Sequence, residues 1–526
     1  MQSTRSTVTG RKGVVSSSHE LASFWGARTL LEGGNVVDAA IATSAILAVV
    51  QNNMCGLGGD LFALVKLKGR IRDLNGSGRA ASSATIDFYK SRGYSEIPSR
   101  GPLAALTVPG LVHAWGELSK FCTMELKDLL APAIDYAHNG FAITDKYAGS
   151  IRASAQFLEE SLGWRKIFMP SGAVPKAGYV LKQKDLAGSL RAIAEEGTED
   201  FYNGDLAKKI ASGIQEEGGV IALEDLKRHS STWNENPIST DYRGVKVYET
   251  APNSQAATVL LWLNMLEHFD LKSVGYGTEK LREILLDTCI KAYEERARAI
   301  GDPITWPLPP DFTSKKYAAQ VLASERLDAF TSENTNATKA KGDTTYFCVA
   351  DSEGNCLSVI QSNYMGFGSG LVPDGTGIVL HDRGCYFSLD RYHHNALAPG
   401  KRTFHTLCAS MGERSNGETL FAIGSMGGDV QPQIHIQLMT QLLDFERDIQ
   451  LSIDSPRWIV PITIYEKAAH IYTEFEAPAT TRFHGLSFSS LGGYSSLTGH
   501  AQAILRTDDA LFGAADHRGD GASVGF

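Results

Sequence analysis

The chain has 526 residues, of which 43% are hydrophobic and 21% are charged, a composition typical of folded globular proteins and a length that allows either two to four domains or one large layered fold. Its formal net charge of -9 excludes an extended surface for binding polyanions, so nucleic acid is not an expected partner. The N-terminal residues lack the apolar core of a secretory signal. The longest apolar run, 36–50, is too short to span a bilayer. We therefore expect a cytoplasmic protein without membrane contact.

The N-terminal part of the chain shows two helical patterns followed by two strand patterns. Apolar residues recur at helical spacing over 21–31 and again over 36–51. Strand patterns follow at 61–67 and near Arg70. The link at 56–60 (GLGGD) is rich in glycine, but it follows a helix and precedes a strand, which is the reverse of the order in nucleotide-binding loops. A nucleotide site is therefore not predicted.

Helical patterns dominate from about residue 107 to residue 330. Within them, apolar side chains at positions 281, 284, 285, 289 and 292 fall on one helical face. The polar stretch 331–342 (TSENTNATKAKG) predicts an exposed, flexible linker. After it the chain changes to short runs typical of strands, namely TTYFCVAD, NCLSVIQS, GIVLHD and ETLFAIGS. We therefore expect a sheet that begins at Thr344 and helices that pack outside it.

Thr344 lies where this linker enters the first strand, in the sequence Gly342-Asp343-Thr344-Thr345. A threonine hydroxyl is a poor nucleophile until a base removes its proton. If the chain were cut before Thr344, the freed α-amine, whose reference pKa is about 8, could act as that base. One residue would then supply both the nucleophile and the base. The pattern alone also fits two β-branched residues that simply open a strand.

Strand register suggests a second residue for this site. The runs 345–350 and 356–362 flank the turn 351–355, so pairing about the centre of that turn sets Ser362 opposite Thr344 on the same face. A serine hydroxyl there could hydrogen-bond the threonine oxygen and orient it. A slip of one residue would send Ser362 to the other face and leave an ordinary pair near the sheet edge.

The motifs DTTYFCVADSEGNCLSVIQS, FGSG and GSMGGD, together with GNVVDAAIATSAILAVVQNNMCGLGGD near the start and LFGAADHRGDG near the end, resemble the γ-glutamyltranspeptidase family of N-terminal-nucleophile hydrolases. The resemblance spans nearly the whole chain. It implies a fold of the α+β class, a four-layer αββα sandwich. It also implies self-cleavage between Asp343 and Thr344 into fragments 1–343 and 344–526, which stay together in one unit. No cofactor and no metal are implied.

The same resemblance assigns roles within the site. Thr344 would attack first the carbonyl of Asp343 and later the substrate, and Ser362 falls where the family usually has a threonine that hydrogen-bonds the nucleophile. Gly427 and Gly428 match the family's glycine pair, whose backbone N–H groups hold the oxyanion. Glycine suits that role because a Cβ would keep the backbone away from the substrate. A tight turn after a strand is the alternative interpretation of this GSMGG segment.

The substrate pocket departs from the family pattern. Tyr386 stands where glutathione-cleaving members carry the carboxylate that pairs with the substrate's amino group, and Arg383 nearby favours a negative group instead. The adjacent serines that contact the substrate carboxylate in the family correspond to His405 and Thr406, of which only Thr406 keeps a hydroxyl.

Two further substrate-binding positions also differ. The asparagine that usually contacts the substrate is replaced by Tyr364, with Asn363 beside it, and the nearest candidate for the carboxylate-binding arginine is Arg79, which is displaced in its motif. These departures favour a small anionic amide with a carboxylate next to the scissile bond, as in the branch that includes oxamate amidohydrolase. Two substrate classes stay open: γ-glutamyl amides such as glutathione, hydrolysed or transferred, and an oxamate-like amide.

Other classes of function remain or are set aside. An uncleaved, non-catalytic relative that serves as a binding or structural protein is an alternative, because the pocket has changed. Neither a strand-to-helix nucleophile elbow nor the H-E-x-x-H spacing of a metallohydrolase is predicted. The seven cysteines show no C-x-x-C spacing and suit reduced thiols. The expected partners are a small-molecule amide and the chain's own two fragments, in units that could associate as homo-oligomers.

Overall fold

The computed structural model describes residues 5–324, 343–465, 468, 470–476 and 482–526. The linker predicted at 331–342 lies outside these residues. Over the described ranges, none of the helices combines the length and the apolar character that crossing a membrane requires.

Most strands of the described residues belong to two seven-stranded sheets. In chain order the strands are β1 Val8–Gly10, β2 Gly13–Ser17, β3 Asp60–Leu67, β4 Arg70–Asn75, β5 Phe141–Ala142, β6 Val180–Leu181, β7 Thr232–Asn234, β8 Ile238–Tyr242, β9 Val245–Glu249, β10 Asp343–Asp351, β11 Cys356–Tyr364, β12 Ala409–Glu413, β13 Thr419–Ser425, β14 Trp458–Ile459, β15 His470–Thr473, β16 Arg482–Phe483, β17 Leu486–Ser490, β18 Ala501–Arg506, β19 Leu511–Ala515 and β20 Ala522–Gly525.

The first sheet has the strand order β20-β2-β10-β11-β3-β4-β7, and the second has the order β1-β19-β18-β13-β12-β9-β8. Neighbouring strands in both sheets are antiparallel. The sheets lie face to face, because Phe62 and Tyr346 of the first share one buried cluster with Met411 and Ala422 of the second. Each sheet combines strands that precede residue 343 with strands that follow it.

Helices cover the outer face of each sheet. In chain order they are α1 Glu20–Leu31, α2 Val36–Val50, α3 Ile86–Lys90, α4 Leu111–Ser119, α5 Leu126–Asn139, α6 Asp145–Leu158, α7 Leu162–Phe168, α8 Lys184–Glu196, α9 Asp200–Asn203, α10 Asp205–Glu216, α11 Leu223–Lys227, α12 Ala257–Leu266, α13 Leu271–Val274, α14 Glu279–Ala299, α15 Lys315–Ala323, α16 Gln431–Leu443 and α17 Ile449–Asp454.

Two apolar cores join the helices to the sheets. Ile46 of α2 shares one core with Val359 of β11, and Ile434 of α16 shares the other with Ile423 of β13. The helix α2 is buried along its whole length and is therefore apolar on all sides rather than amphipathic. The four layers run helix, sheet, sheet, helix, so the predicted αββα sandwich is confirmed.

The structure confirms the predicted helices α1, α2 and α14 and the predicted strands β3, β4, β10, β11 and β13. The strand predicted for the run GIVLHD, residues 377–382, was wrong. Its backbone bonds to loops instead: the N–H of Leu380 donates to Leu371, and the carbonyl of Leu380 accepts from Ser369. Strands β8 and β9 form a hairpin that extends the second sheet. The sequence did not predict this hairpin, because helical patterns dominate that part of the chain.

Candidate active site

The predicted pairing of Thr344 with Ser362 is present in the structure. Strands β10 and β11 pair in the predicted register from Thr345 opposite Gln361 to the turn, and an irregularity follows at Thr344 because Asp343 pairs with Tyr364. The Thr344 hydroxyl donates a hydrogen bond to the Ser362 hydroxyl oxygen across 3.0 Å. The Thr344 side chain is buried between the two sheets.

Ser362 links the nucleophile to the bond that would be cut. Its hydroxyl donates to the carbonyl oxygen of Asp343 across 2.7 Å, and its oxygen also accepts from the N–H of Tyr364 across 2.8 Å. Strand β10 begins at Asp343 and so includes the Asp343–Thr344 bond. The hydroxyl of Thr344, the hydroxyl of Ser362 and the carbonyl of Asp343 thus form one chain of hydrogen bonds, defined here as the hydroxyl relay.

Gly427 and Gly428 form a turn directly after β13. Their φ angles are 144° and 57°, in the region that favours glycine. The Gly428 carbonyl accepts from the side chain of Gln255 across 2.9 Å, and the next carbonyl, that of Asp429, accepts from Tyr293 across 2.7 Å. The N–H groups of Gly427 and Gly428 donate no hydrogen bond to any of the described residues. The turn therefore has fixed carbonyls and two free donors, which is what an oxyanion-binding turn requires.

Arg383 and Thr406 are hydrogen-bonded to each other and form a polar surface, defined here as the Arg383–Thr406 wall. The guanidinium of Arg383 donates through Nη2 to the Thr406 hydroxyl across 2.9 Å, and its carbon lies 4.0 Å from the centre of the Tyr364 ring. Although only 2% of Arg383 is exposed, its Nε and Nη1 atoms find no hydrogen-bond partner within the described ranges. A buried arginine with free donors is suited to a carboxylate ligand.

The hydroxyl of Tyr386 already has a partner in the structure. Its hydroxyl donates to a carboxylate oxygen of Asp429, which also binds the guanidinium of Arg296. Tyr386 and Tyr364 pack edge to face, with ring centres 5.4 Å apart, and both line a cavity of about 350 Å³. The Tyr364 ring therefore borders both this cavity and the Arg383 guanidinium.

His405 belongs to a buried charged cluster around Asp60. Its Nε2 lies 3.0 Å from Asp60 Oδ2, and Nδ1 of His381 lies 3.5 Å from the same oxygen. Burial by itself would raise the pKa of Asp60, but the two imidazoles hold that pKa well below its usual range. Burial lowers the pKa of His405 to about 3, whereas the Asp60 carboxylate outweighs burial at His381 and raises the pKa of that imidazole. Within this cluster His381 is therefore the stronger base of the two imidazoles.

Two further predicted substrate residues, Asn363 and Arg79, have partners elsewhere in the chain. Asn363 lies on the face of β11 opposite to Ser362, where its side chain donates to the carbonyl of Asn52. The guanidinium of Arg79 donates to the carbonyl of Ser230. Both side chains thus bond to other parts of the chain, and the substrate contacts expected of them stay predictions.

Gln255 and Arg296 are functional candidates that the sequence did not indicate. The side-chain amide of Gln255 donates to the carbonyls of both Thr406 and Gly428, across 2.8 and 2.9 Å, and Arg296 Nη1 donates to the Gln255 oxygen across 2.5 Å. Both side chains are fully buried. They connect the proposed oxyanion turn to the Arg383–Thr406 wall. Arg296 lies on the buried, largely apolar face of helix α14, one turn after Ala292, and an arginine at that position was the signal available in the sequence.

Comparison with known proteins agrees with this geometry. Residues 22–526 match the sequence model of the family described as gamma-glutamyltranspeptidase. The chain belongs to the γ-glutamyltranspeptidase family. It is therefore an enzyme of the N-terminal-nucleophile type, a hydrolase or acyltransferase, in agreement with the resemblance seen in its motifs.

Individual relatives of this family member cover nearly its full length. It is 39% identical to the glutathione hydrolase-like YwrD proenzyme of Bacillus subtilis (strain 168), over 99% of both chains. It is 35% identical to the oxamate amidohydrolase proenzyme of Klebsiella pneumoniae, over 98% of both chains. Among solved structures, the cephalosporin acylase from Bacillus halodurans is similar with a TM-score of 0.91 and 35% identity, covering 100% of this chain and 98% of that one.

Proposed function

We propose that this family member cuts itself between Asp343 and Thr344 and then uses Thr344 to hydrolyse or transfer the acyl group of a small carboxylated amide. The observation that supports this most directly is the hydroxyl relay, because it joins the attacking oxygen to the carbonyl that it would attack. The relatives named as proenzymes support processing into two chains. The products would be fragments 1–343 and 344–526.

The hydroxyl relay suggests how self-cleavage proceeds. The Thr344 oxygen attacks the carbonyl carbon of Asp343 while its proton passes to the Ser362 oxygen, and the proton of Ser362 moves towards the carbonyl oxygen. As the C–N bond breaks, the proton on the former carbonyl oxygen passes to the nitrogen of Thr344 and the C=O bond re-forms, so an ester joins Asp343 to the Thr344 side chain. Water hydrolyses this ester, which leaves a carboxylate on residue 343 and a free amine and hydroxyl on Thr344.

Replacing Ser362 by alanine is expected to slow self-cleavage about ten- to a hundredfold, because a hydrogen bond to developing charge contributes roughly 1.5–3 kcal/mol. The measurement is the time course of appearance of the smaller fragment on denaturing gels after refolding or synthesis. Ser358→Ala is the matched control, since Ser358 lies on the same face of β11 but bonds to Tyr346 and Ser410. Equal cleavage rates in the two variants would contradict the relay.

The same hydroxyl would act on substrate after cleavage. The free α-amine of Thr344, with a reference pKa of about 8, takes the hydroxyl proton as the oxygen attacks the substrate carbonyl. The N–H groups of Gly427 and Gly428 stabilise the negative oxygen of the tetrahedral intermediate. Expulsion of the amine leaves an acyl ester on Thr344, and water or an acceptor amine removes the acyl group.

The wall formed by Arg383 and Thr406 sets the expected substrate class. A carboxylate on the acyl group would accept hydrogen bonds from the free Nε and Nη1 of Arg383 and from the Thr406 hydroxyl. γ-Glutamyl amides such as glutathione carry this carboxylate and are the first candidates, in line with the printed names of several relatives. An oxamate-like amide is the second candidate. Tyr386 favours this second candidate, because its phenol has no negative charge to attract a substrate amino group and already donates to Asp429.

The test is incubation of the purified, cleaved protein with glutathione and with oxamate, with measurement of released glutamate and ammonia. We expect turnover of at least one of them. Arg383→Met should raise KM for that substrate about tenfold or more, because a charged hydrogen bond is lost. Arg391→Met is the control, since Arg391 is exposed and pairs with Asp87. Turnover of neither substrate, or an unchanged KM in Arg383→Met, would contradict the proposed substrate class.

A further inference from the structure

Asp60 lies in the same row of side chains as the proposed nucleophile. It is the direct cross-strand partner of Ser362 where β3 pairs with β11, and Ser362 in turn binds Thr344 on β10. Residues directly opposite each other in antiparallel strands share a face, so Asp60 also faces the space between the two sheets. Only 1% of the residue is exposed. A buried carboxylate in this position needs several partners.

Three hydrogen bonds and one longer imidazole contact converge on the two oxygens of Asp60. The N–H groups of Gly78 and Gly110 donate to Oδ1 across 3.1 and 3.2 Å. On the other side, Nε2 of His405 lies 3.0 Å from Oδ2, and Nδ1 of His381 lies 3.5 Å from it. Oδ1 thus accepts two hydrogen bonds and Oδ2 accepts one from His405, and a carboxylate can accept at both oxygens whereas a side-chain amide cannot.

The two imidazoles belong to the chain segments that carry the Arg383–Thr406 wall. His381 is two residues before Arg383, and His405 directly precedes Thr406. Arg383 and Thr406 are themselves hydrogen-bonded across 2.9 Å. The remaining contacts of the imidazoles anchor the loops: His381 Nε2 lies 2.8 Å from the Thr107 carbonyl oxygen, and His405 Nδ1 accepts from the N–H of Leu407.

We propose that Asp60 is a positioning residue for substrate recognition: its carboxylate holds segments 381–383 and 405–406 together, so that Arg383 and Thr406 present their donors to one substrate carboxylate. This inference rests on the proposed function. Asp60 does not touch the substrate. It acts through His381 and His405, whose ring nitrogens lie 3.5 and 3.0 Å from its Oδ2 atom.

Asp60→Asn tests this role with almost no change in size. Whichever way the amide is turned, its NH2 group faces N–H donors, either those of Gly78 and Gly110 or those of the imidazoles. With glutathione and oxamate as substrates, we expect KM to rise about tenfold while kcat changes less than about threefold, the pattern of lost binding rather than lost chemistry. Self-cleavage should be complete, because the hydroxyl relay is untouched.

Asp73→Asn is the matched control. Asp73 is buried on the adjacent strand β4, accepts from the N–H of Ala251 and has a pKa that burial raises to about 7, so an amide resembles its protonated form. We expect this variant to keep the KM and kcat of the unchanged protein. An equal loss in both variants would overturn the proposal, since it would show that any buried carboxylate of this sheet has the same effect.

A double-mutant cycle separates positioning from general stability. If Asp60 acts through the wall, Asp60→Asn should add little to the KM increase that Thr406→Ala causes alone, whereas independent effects would multiply. Multiplying effects, or an unchanged KM in Asp60→Asn, would overturn the inference. If Asp60→Asn does not fold, His381→Gln replaces it, because glutamine can still donate to Thr107, and the same rise in KM is expected. Turnover by the unchanged protein is measured first, so failure of the proposed function is recognised separately.

Discussion

Replacing Thr344 by alanine is expected to abolish both self-cleavage and amide turnover, because the same oxygen is the attacking atom in both reactions. The variant should remain a single chain of 56.9 kDa in an intact-mass spectrum, with no release of glutamate or ammonia above the rate without enzyme. The substitution removes a methyl and a hydroxyl from one buried position, so the fold should persist in thermal unfolding. Cleavage that continued in this variant would contradict the central proposal.

Thr345→Ala is the control for that experiment. Thr345 is the next residue of β10, but its side chain faces the helical layer, where its hydroxyl donates to the Gln361 carbonyl across 3.5 Å. Cleavage should be retained at least in part. The unchanged protein also decides the alternative of a non-catalytic relative, since an intact mass without either fragment would favour that alternative. N-terminal sequencing of the smaller fragment should begin with Thr344-Thr345.

Gly427→Ala is expected to lower kcat about a hundredfold or more, the typical cost of losing one oxyanion donor. At a φ of 144° an alanine is strained, and its Cβ would lie 3.0 Å from Ile434 and 3.2 Å from Val430, so the turn must change and its N–H groups must reorient. KM should change much less. The rate should be measured on fully cleaved protein, so that an effect on self-cleavage is not counted as an effect on turnover.

Gly417→Ala is the matched control because it strains the backbone in the turn before β13, whereas Gly427 lies in the turn after β13. Gly417 has a φ of 83° in the turn between β12 and β13, and a Cβ there would meet no atom within 4 Å. Both variants should lose some stability from the unfavourable φ, by about 1 kcal/mol. Only Gly427→Ala should lose kcat. A comparable fall in both would assign the effect to backbone strain and not to the oxyanion turn.

The hairpin that carries Thr344 and Ser362 could be predicted because its register is set locally. The short turn is closed by Asp351, whose side chain accepts from the N–H groups of Glu353 and Asn355, so the two strands have little freedom to slip. Alternation then decided which side chains share a face. The same alternation places Asn363 on the face opposite to Ser362, although matching to the family motif suggested a substrate contact.

The remaining parts of the site depend on contacts between distant segments, which no local pattern indicates. Asp60 was considered only as the end of a glycine-rich link, yet it meets imidazoles more than 300 residues away in the chain. Gln255 likewise joins the carbonyls of Thr406 and Gly428 from a separate helix start. The run 377–382 has a strand-like composition, but its backbone partners lie in loops, so propensity was a poor guide there. Cytoplasmic location and homo-oligomer formation stay predictions.

Because each sheet alternates strands from before and after residue 343, the cut that we propose would not create two separable bodies. β10 and β11 lie between β2 and β3, and β18 and β19 lie between β1 and the rest of the second sheet. Dissociation of the fragments would require both sheets to unfold. In the denatured state, however, the cut makes two molecules out of one, so refolding would become a bimolecular reaction that slows with dilution. Cleavage would thus give the assembled enzyme a stability that is kinetic in origin. Only the uncut precursor would fold in a unimolecular reaction.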